Sequence, residues 1–140
     1  MSRLLITLLL LSCAAAQSSI DSAEYQARRR AALEKIPDGI VVLRAFSGMK
    51  HWDESGFHQD ARFYYFSGLA NLHGAILALD GTQKESWLFV SPRLGSFGAD
   101  LDSAFLDPGS QTEAELKFNH VVPWDQFAAF VESRHKSNPN

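Results

Sequence analysis

The chain has 140 residues, 46% of them apolar, and a formal net charge of -3. That length allows one domain and its flanks. The acidic balance argues against a nucleic-acid binder, which carries a basic excess or patch.

The first residues stand apart from any domain. "MSRLLITLLLLSCAAAQ" places Arg3 before an apolar run from Leu4 to Leu11, then Ala14-Ala15-Ala16. This is the layout of a secretory signal peptide over residues 1–16, cleaved after Ala16. The run is too short to span a bilayer. "LLSC" also resembles a lipoprotein box with a lipid anchor at Cys13, though Leu11 fits that pattern poorly. Either route predicts an exported protein, periplasmic or secreted. Cleavage after Ala16 removes the one cysteine, which excludes a disulfide scaffold and a thiol enzyme.

Residues 17–134 read as the domain, and 135–140 as a polar tail. "DSAEYQARRRAALEKI" predicts a helix over 21–36, with Asp21 as cap and Glu24 placed for a capping box. Tyr25, Arg29, Ala32, Leu33 and Ile36 share a face, with the stem of Arg29 lying along it. "RRR" at 28–30 spreads round the helix and reads as a solvated face. Pro37-Asp38-Gly39 ends the helix. "GIVVLRA" at 39–45 predicts a strand covered on both sides. Residues 47–56 form a polar loop.

"RFYYFSG" follows, and alternation in a strand sends Phe63 and Tyr65 one way and Tyr64 and Phe66 the other. A sheet buried on both faces absorbs all four; an exposed aromatic face for a partner is the alternative. "GAILALDG" at 74–81 and "SWLFVSP" at 86–92 predict a hairpin. Residues 93–112 read as a loop, "TEAELKF" as a short helix and "HVVPW" as a short strand. "DQFAAFVESRH" reads as a helix, with Trp124, Phe127, Ala128 and Val131 at helical spacing. Helices interleaved with strands indicate an α/β or α+β domain.

The candidate chemistry is thin. The five histidines form no H-E-x-x-H, and no acid stands at a recognisable ligand spacing from any of them. The densest cluster is His51, Asp53, Glu54, His58 and Asp60. It reads as a polar loop, with a metal held by His51-x-Asp53 and an enzyme site of its own as the remote alternatives. Asp60 and Arg62 are expected to pair as charges. There is no G-x-S-x-G, no G-x-G-x-x-G and no P-loop. No residue is therefore assigned a catalytic, cofactor-binding or metal-binding role.

"EYQARRRAALEKIPDGIVVL", "HQDARFYYFSGL", "GAILALDG" and "ESWLFVSPR", in that order, carry a likeness. Together they resemble the N-terminal domain of Xaa-Pro aminopeptidases (aminopeptidase P), in the creatinase-like metallopeptidase family. Gln59, Asp60, Phe63, Tyr64, Tyr65, Gly68, Leu88, Phe89, Val90, Pro92 and Arg93 match the family pattern. The likeness is close over about 24–93 and loose over 94–134. His58 stands where the pattern has arginine, and "LGSFGAD" replaces an acid followed by Trp-x-Gly.

The resemblance implies an α/β fold, a mixed β-sheet flanked by helices. It implies an accessory role beside a C-terminal pita-bread catalytic domain, whose two divalent metals, manganese or zinc, activate water for hydrolysis before proline. No ligand of those metals maps onto this chain. The resemblance further implies substrate-site restriction and homo-oligomer contacts, with His58, Asp60, Arg62, Tyr64, Tyr65 and Arg93 as structural or interface candidates. The alternative is a free-standing exported domain that binds a peptide or protein.

Overall fold

The computed structural model describes residues 20–46, 58–91 and 105–137. The expected signal peptide over 1–16, Cys13, His51, Asp53, Glu54 and Arg93 lie outside the described residues.

Helix α1, Ser22–Glu34, starts where Asp21 accepts a hydrogen bond from the Ala23 N–H. That bond holds the Asp21 carboxyl below the usual carboxylate range. Glu24 bonds Arg28 Nε at 3.2 Å, one turn along the helix. Strand β1, Ile40–Arg44, follows the Pro37-Asp38-Gly39 turn. Helix α2, Ala61–Ser67, precedes strands β2, Ile76–Asp80, and β3, Glu85–Val90. Helix α3 is Ser110–Leu116 and strand β4 is His120–Pro123. A 3-10 turn, Trp124–Gln126, leads into helix α4, Phe127–Ser137.

The four strands form one mixed sheet in the order β1-β2-β3-β4. β1–β2 and β2–β3 are antiparallel, and β3–β4 is parallel. β2 and β3 make the expected hairpin, with Asp80 opposite Glu85. At its turn, the Asp80 carboxylate accepts from the backbone of Thr82 and Gln83. Lys84 adopts a left-handed conformation there (φ 58) and its Nζ bonds Leu33 O and Ile36 O, closing the carbonyl end of α1. Gly81 lies so close to the Ile36 carbonyl that no side chain fits.

Alternation along the strands divides the core between two faces. Leu77, Leu79, Leu88, Val90 and Val121 pack with Leu33, Phe63 and Phe118 beneath α1, α2 and α3. Ile76, Ala78 and Phe89 pack with Phe130 of α4 on the other face.

Five expectations change. Residues 61–67 are a helix, not a strand, because Asp60 and Gly68 cap that segment at both ends. One face of β1 is partly open, with Val42 43% exposed and Arg44 exposed, so the strand is not fully covered on both sides. Arg29 is buried rather than solvated. In α4 the inward residues are Phe127, Phe130 and Arg134, whereas Trp124 and Val131 are exposed. The helix also runs past Arg134 to Ser137.

Candidate interaction surface

"HQD" works locally, as scaffold. Asp60 accepts from the backbone N–H of Arg62 (3.0 Å) and Phe63 (2.9 Å), so it caps α2 and meets Arg62 through the backbone. Gln59 is used at both ends of its amide. Its Oε1 accepts from the N–H of Phe46 and Asp60, and its Nε2 donates to Leu69 O and Leu72 O. It thus ties the end of β1 to the loop between α2 and β2. His58 is exposed immediately before this staple.

The α2 helix turns its four aromatics to different surroundings. Phe63 is fully buried, and Phe66 packs on the core from a half-buried position. Tyr64 and Tyr65 stay 39% and 51% exposed. They form a surface with α1. The Tyr25 hydroxyl donates to the Tyr64 hydroxyl at 3.4 Å, and the two rings meet edge to face. This hydrogen bond, reinforced by burial, raises the Tyr25 phenol above its ordinary value. Arg28 lies over the Tyr65 ring at 4.6 Å and over Tyr25 at 5.0 Å, and donates to Tyr65 O. A groove of about 460 Å³ runs beside this cluster, with Ala27, Ala31, Lys35, Tyr65 and Phe66 among its walls.

Arg29 locks the surface from below. Nη1 donates to Phe66 O at 2.8 Å, and Nη2 to Leu116 O at 3.1 Å and Lys117 O at 2.6 Å. These carbonyls sit at the C-terminal ends of α2 and α3, where peptide dipoles favour a cation. The guanidinium also stacks on Phe118 at 3.8 Å. Burial pushes its pKa down to about 10.

Of the candidates, Asp60 is a helix cap, and Arg62, Tyr64 and Tyr65 are exposed on α2. Tyr25, Arg28, Arg29 and Gln59 complete the arrangement and were not singled out as a group. The helical spacing of Tyr25 and Arg29 was the available signal. Among the described residues, no three His, Cys, Asp or Glu side chains are grouped to hold a metal, so they do not fit a two-metal site. No described helix is long and apolar enough to cross a membrane.

Comparison with known families matches residues 25–140 to the model described as "Aminopeptidase P, N-terminal domain". The chain belongs to that family. No curated protein matches it. Solved structures of Escherichia coli aminopeptidase P share the fold. A variant in complex with substrate aligns with a TM-score of 0.62 at 22% identity, covering 83% of this chain and 27% of that one. The zinc-substituted enzyme in complex with product gives 0.61 at 23%, with the same coverage. The enzyme with the inhibitor Pro-Leu gives 0.60 at 23%, covering 78% and 26%. This aminopeptidase P N-terminal domain therefore spans about a quarter of the length of the solved relatives.

Proposed function

We propose that the chain is the non-catalytic N-terminal accessory domain of an exported Xaa-Pro aminopeptidase. The observation that carries this reading is the family match over 25–140 in a chain spanning only 27% of the solved enzymes. In the resembling family, a separate catalytic domain holds two divalent metals, manganese or zinc, which supply the activated water. The N-terminal domain narrows access to short peptide ends and supports oligomer contacts. The groove beside Arg28 and Tyr65 suits contact with a neighbouring domain, since it pairs exposed aromatic surface with a cation.

The test is an assay of the purified chain on Xaa-Pro peptides with added manganese. No turnover is expected, whereas a fusion to a family catalytic domain should hydrolyse them. Metal-dependent turnover by the isolated chain, abolished by chelation, would overturn the accessory reading.

A further inference from the structure

The unusual feature outside this surface is the edge of β1, which no further strand pairs among the described residues. Along the β1–β2 ladder, Ala45 N–H donates to Ala75 O and Gly81 N–H donates to Gly39 O. In an antiparallel ladder alternate residues exchange these bonds, so Gly39, Val41, Leu43 and Ala45 face β2. The N–H and C=O of Ile40, Val42 and Arg44 point the other way, and among the described residues β1 ends the sheet on that side.

Edges of sheets are normally blunted by shortness, proline, a bulge or a charge. β4, the opposite edge, has four residues and ends in Pro123. β1 reads Ile-Val-Val-Leu-Arg, with no proline and its charge only at the end. Both flanks of the edge are apolar, since Val41 and Leu43 reach the larger core cluster and Ile40 the smaller one. Val42, at the middle, is 43% exposed.

We propose that β1 is a pairing edge at which two copies of this chain join antiparallel about Val42, making one eight-stranded sheet from two four-stranded ones. It gives the oligomer contact of the accessory-domain reading a surface, and rests on that reading only for its setting. The strand is self-complementary in this register. Val42 meets Val42 across the two-fold axis, and Ile40 of each copy meets Arg44 of the other. Every outward N–H and C=O of these three residues then finds a partner. A slip of the axis to either side leaves some unpaired, and a larger slip toward the strand's end sets Arg44 against Arg44. In the favoured register Arg44 lies diagonally across from Asp38 of the second copy, within reach of a long side chain. Asp38 and Ile40 line the same groove, which places them on one face of the sheet.

Sedimentation velocity on the full chain, from micromolar to submillimolar concentration, tests the pairing. Dimers are expected, and Val42→Lys, which sets two like charges on the axis, should leave monomers with an unchanged circular-dichroism spectrum. Hydrogen exchange on the unaltered chain is the second measurement. The amides of Ile40, Val42 and Arg44 should gain at least tenfold protection as concentration rises. A chain that stays monomeric throughout overturns the proposal, as does a dimer in which these three amides exchange at the monomer's rate. Either result leaves the accessory-domain reading intact, because that reading is judged by the peptidase assay.

Discussion

Arg29 is 1% exposed and has no carboxylate beside it among its described contacts; three carbonyls and a phenyl face receive it. The carbonyls belong to the C-terminal ends of two helices, so this side chain ties both α2 and α3 to α1. Its pKa, pushed down to about 10 from the ordinary guanidinium range, shows the cost of burying the charge. The unfolded chain binds the proton more tightly, so that cost is present in full below pH 10. It shrinks only as pH rises from about 10 toward the ordinary guanidinium range. Losing the fork should nevertheless be worse than keeping it. Arg29→Met strands three carbonyls and should lower stability by about 3 kcal/mol. Arg29→Lys keeps the charge but not the fork and should lose about 2 kcal/mol. Urea unfolding followed by circular dichroism measures both; a methionine variant as stable as the parent would refute this role. The sequence placed Arg29 on the inward face of α1, but its neighbours Arg28 and Arg30 made the whole run look solvated. The carbonyls that accept it lie 37 to 88 residues away, and no local pattern announces them.

At the scale of elements, α2 is where local reading and structure part. Four aromatics in a row suit a strand by intrinsic preference, and alternation then divides them between two faces. The decisive residues flank them. Asp60 takes the first free N–H groups, and Gly68 ends the helix at φ 74, where its N–H donates to Tyr64 O. A side chain at Gly68 would also run into the Tyr25 ring. Gly68→Ala therefore combines left-handed strain with a collision and should lower stability by about 3 kcal/mol. Because Tyr25 bears on Tyr64, the variant should also disturb the near-ultraviolet signal of the tyrosines. An unchanged unfolding midpoint would show that the turn relaxes freely. The other elements were legible for a plain reason. The hairpin and the helices carry their own turn residues, caps and periodicity, whereas a strand's place in the sheet order is set by segments remote in sequence. How far α4 reaches over the second face is likewise set remotely, and it leaves Val42 of β1 43% exposed.

For the molecule as a whole, the two sheet faces are unequally held. Three helices cover the larger cluster, while among the described helices α4 alone covers Ile76, Ala78 and Phe89. α4 is fastened at its far end by Arg134, whose Nε donates to Asp80 Oδ2, 54 residues away in sequence. Asp80 is fully buried, and its other oxygen is committed to the hairpin turn. The pair thus joins the last helix to the turn between β2 and β3. Removing one partner and removing both should differ sharply. Arg134→Leu leaves a buried carboxylate with only backbone donors and should cost about 3 kcal/mol. Arg134→Leu combined with Asp80→Asn keeps the side-chain oxygen that accepts in the turn but removes the stranded charge, and should recover about half of that loss. Urea midpoints for the parent, both single variants and the double variant close the cycle. A coupling energy near zero would mean that the aromatic contacts of Phe127 and Phe130 hold α4 by themselves, and that this ion pair does not fasten the second face.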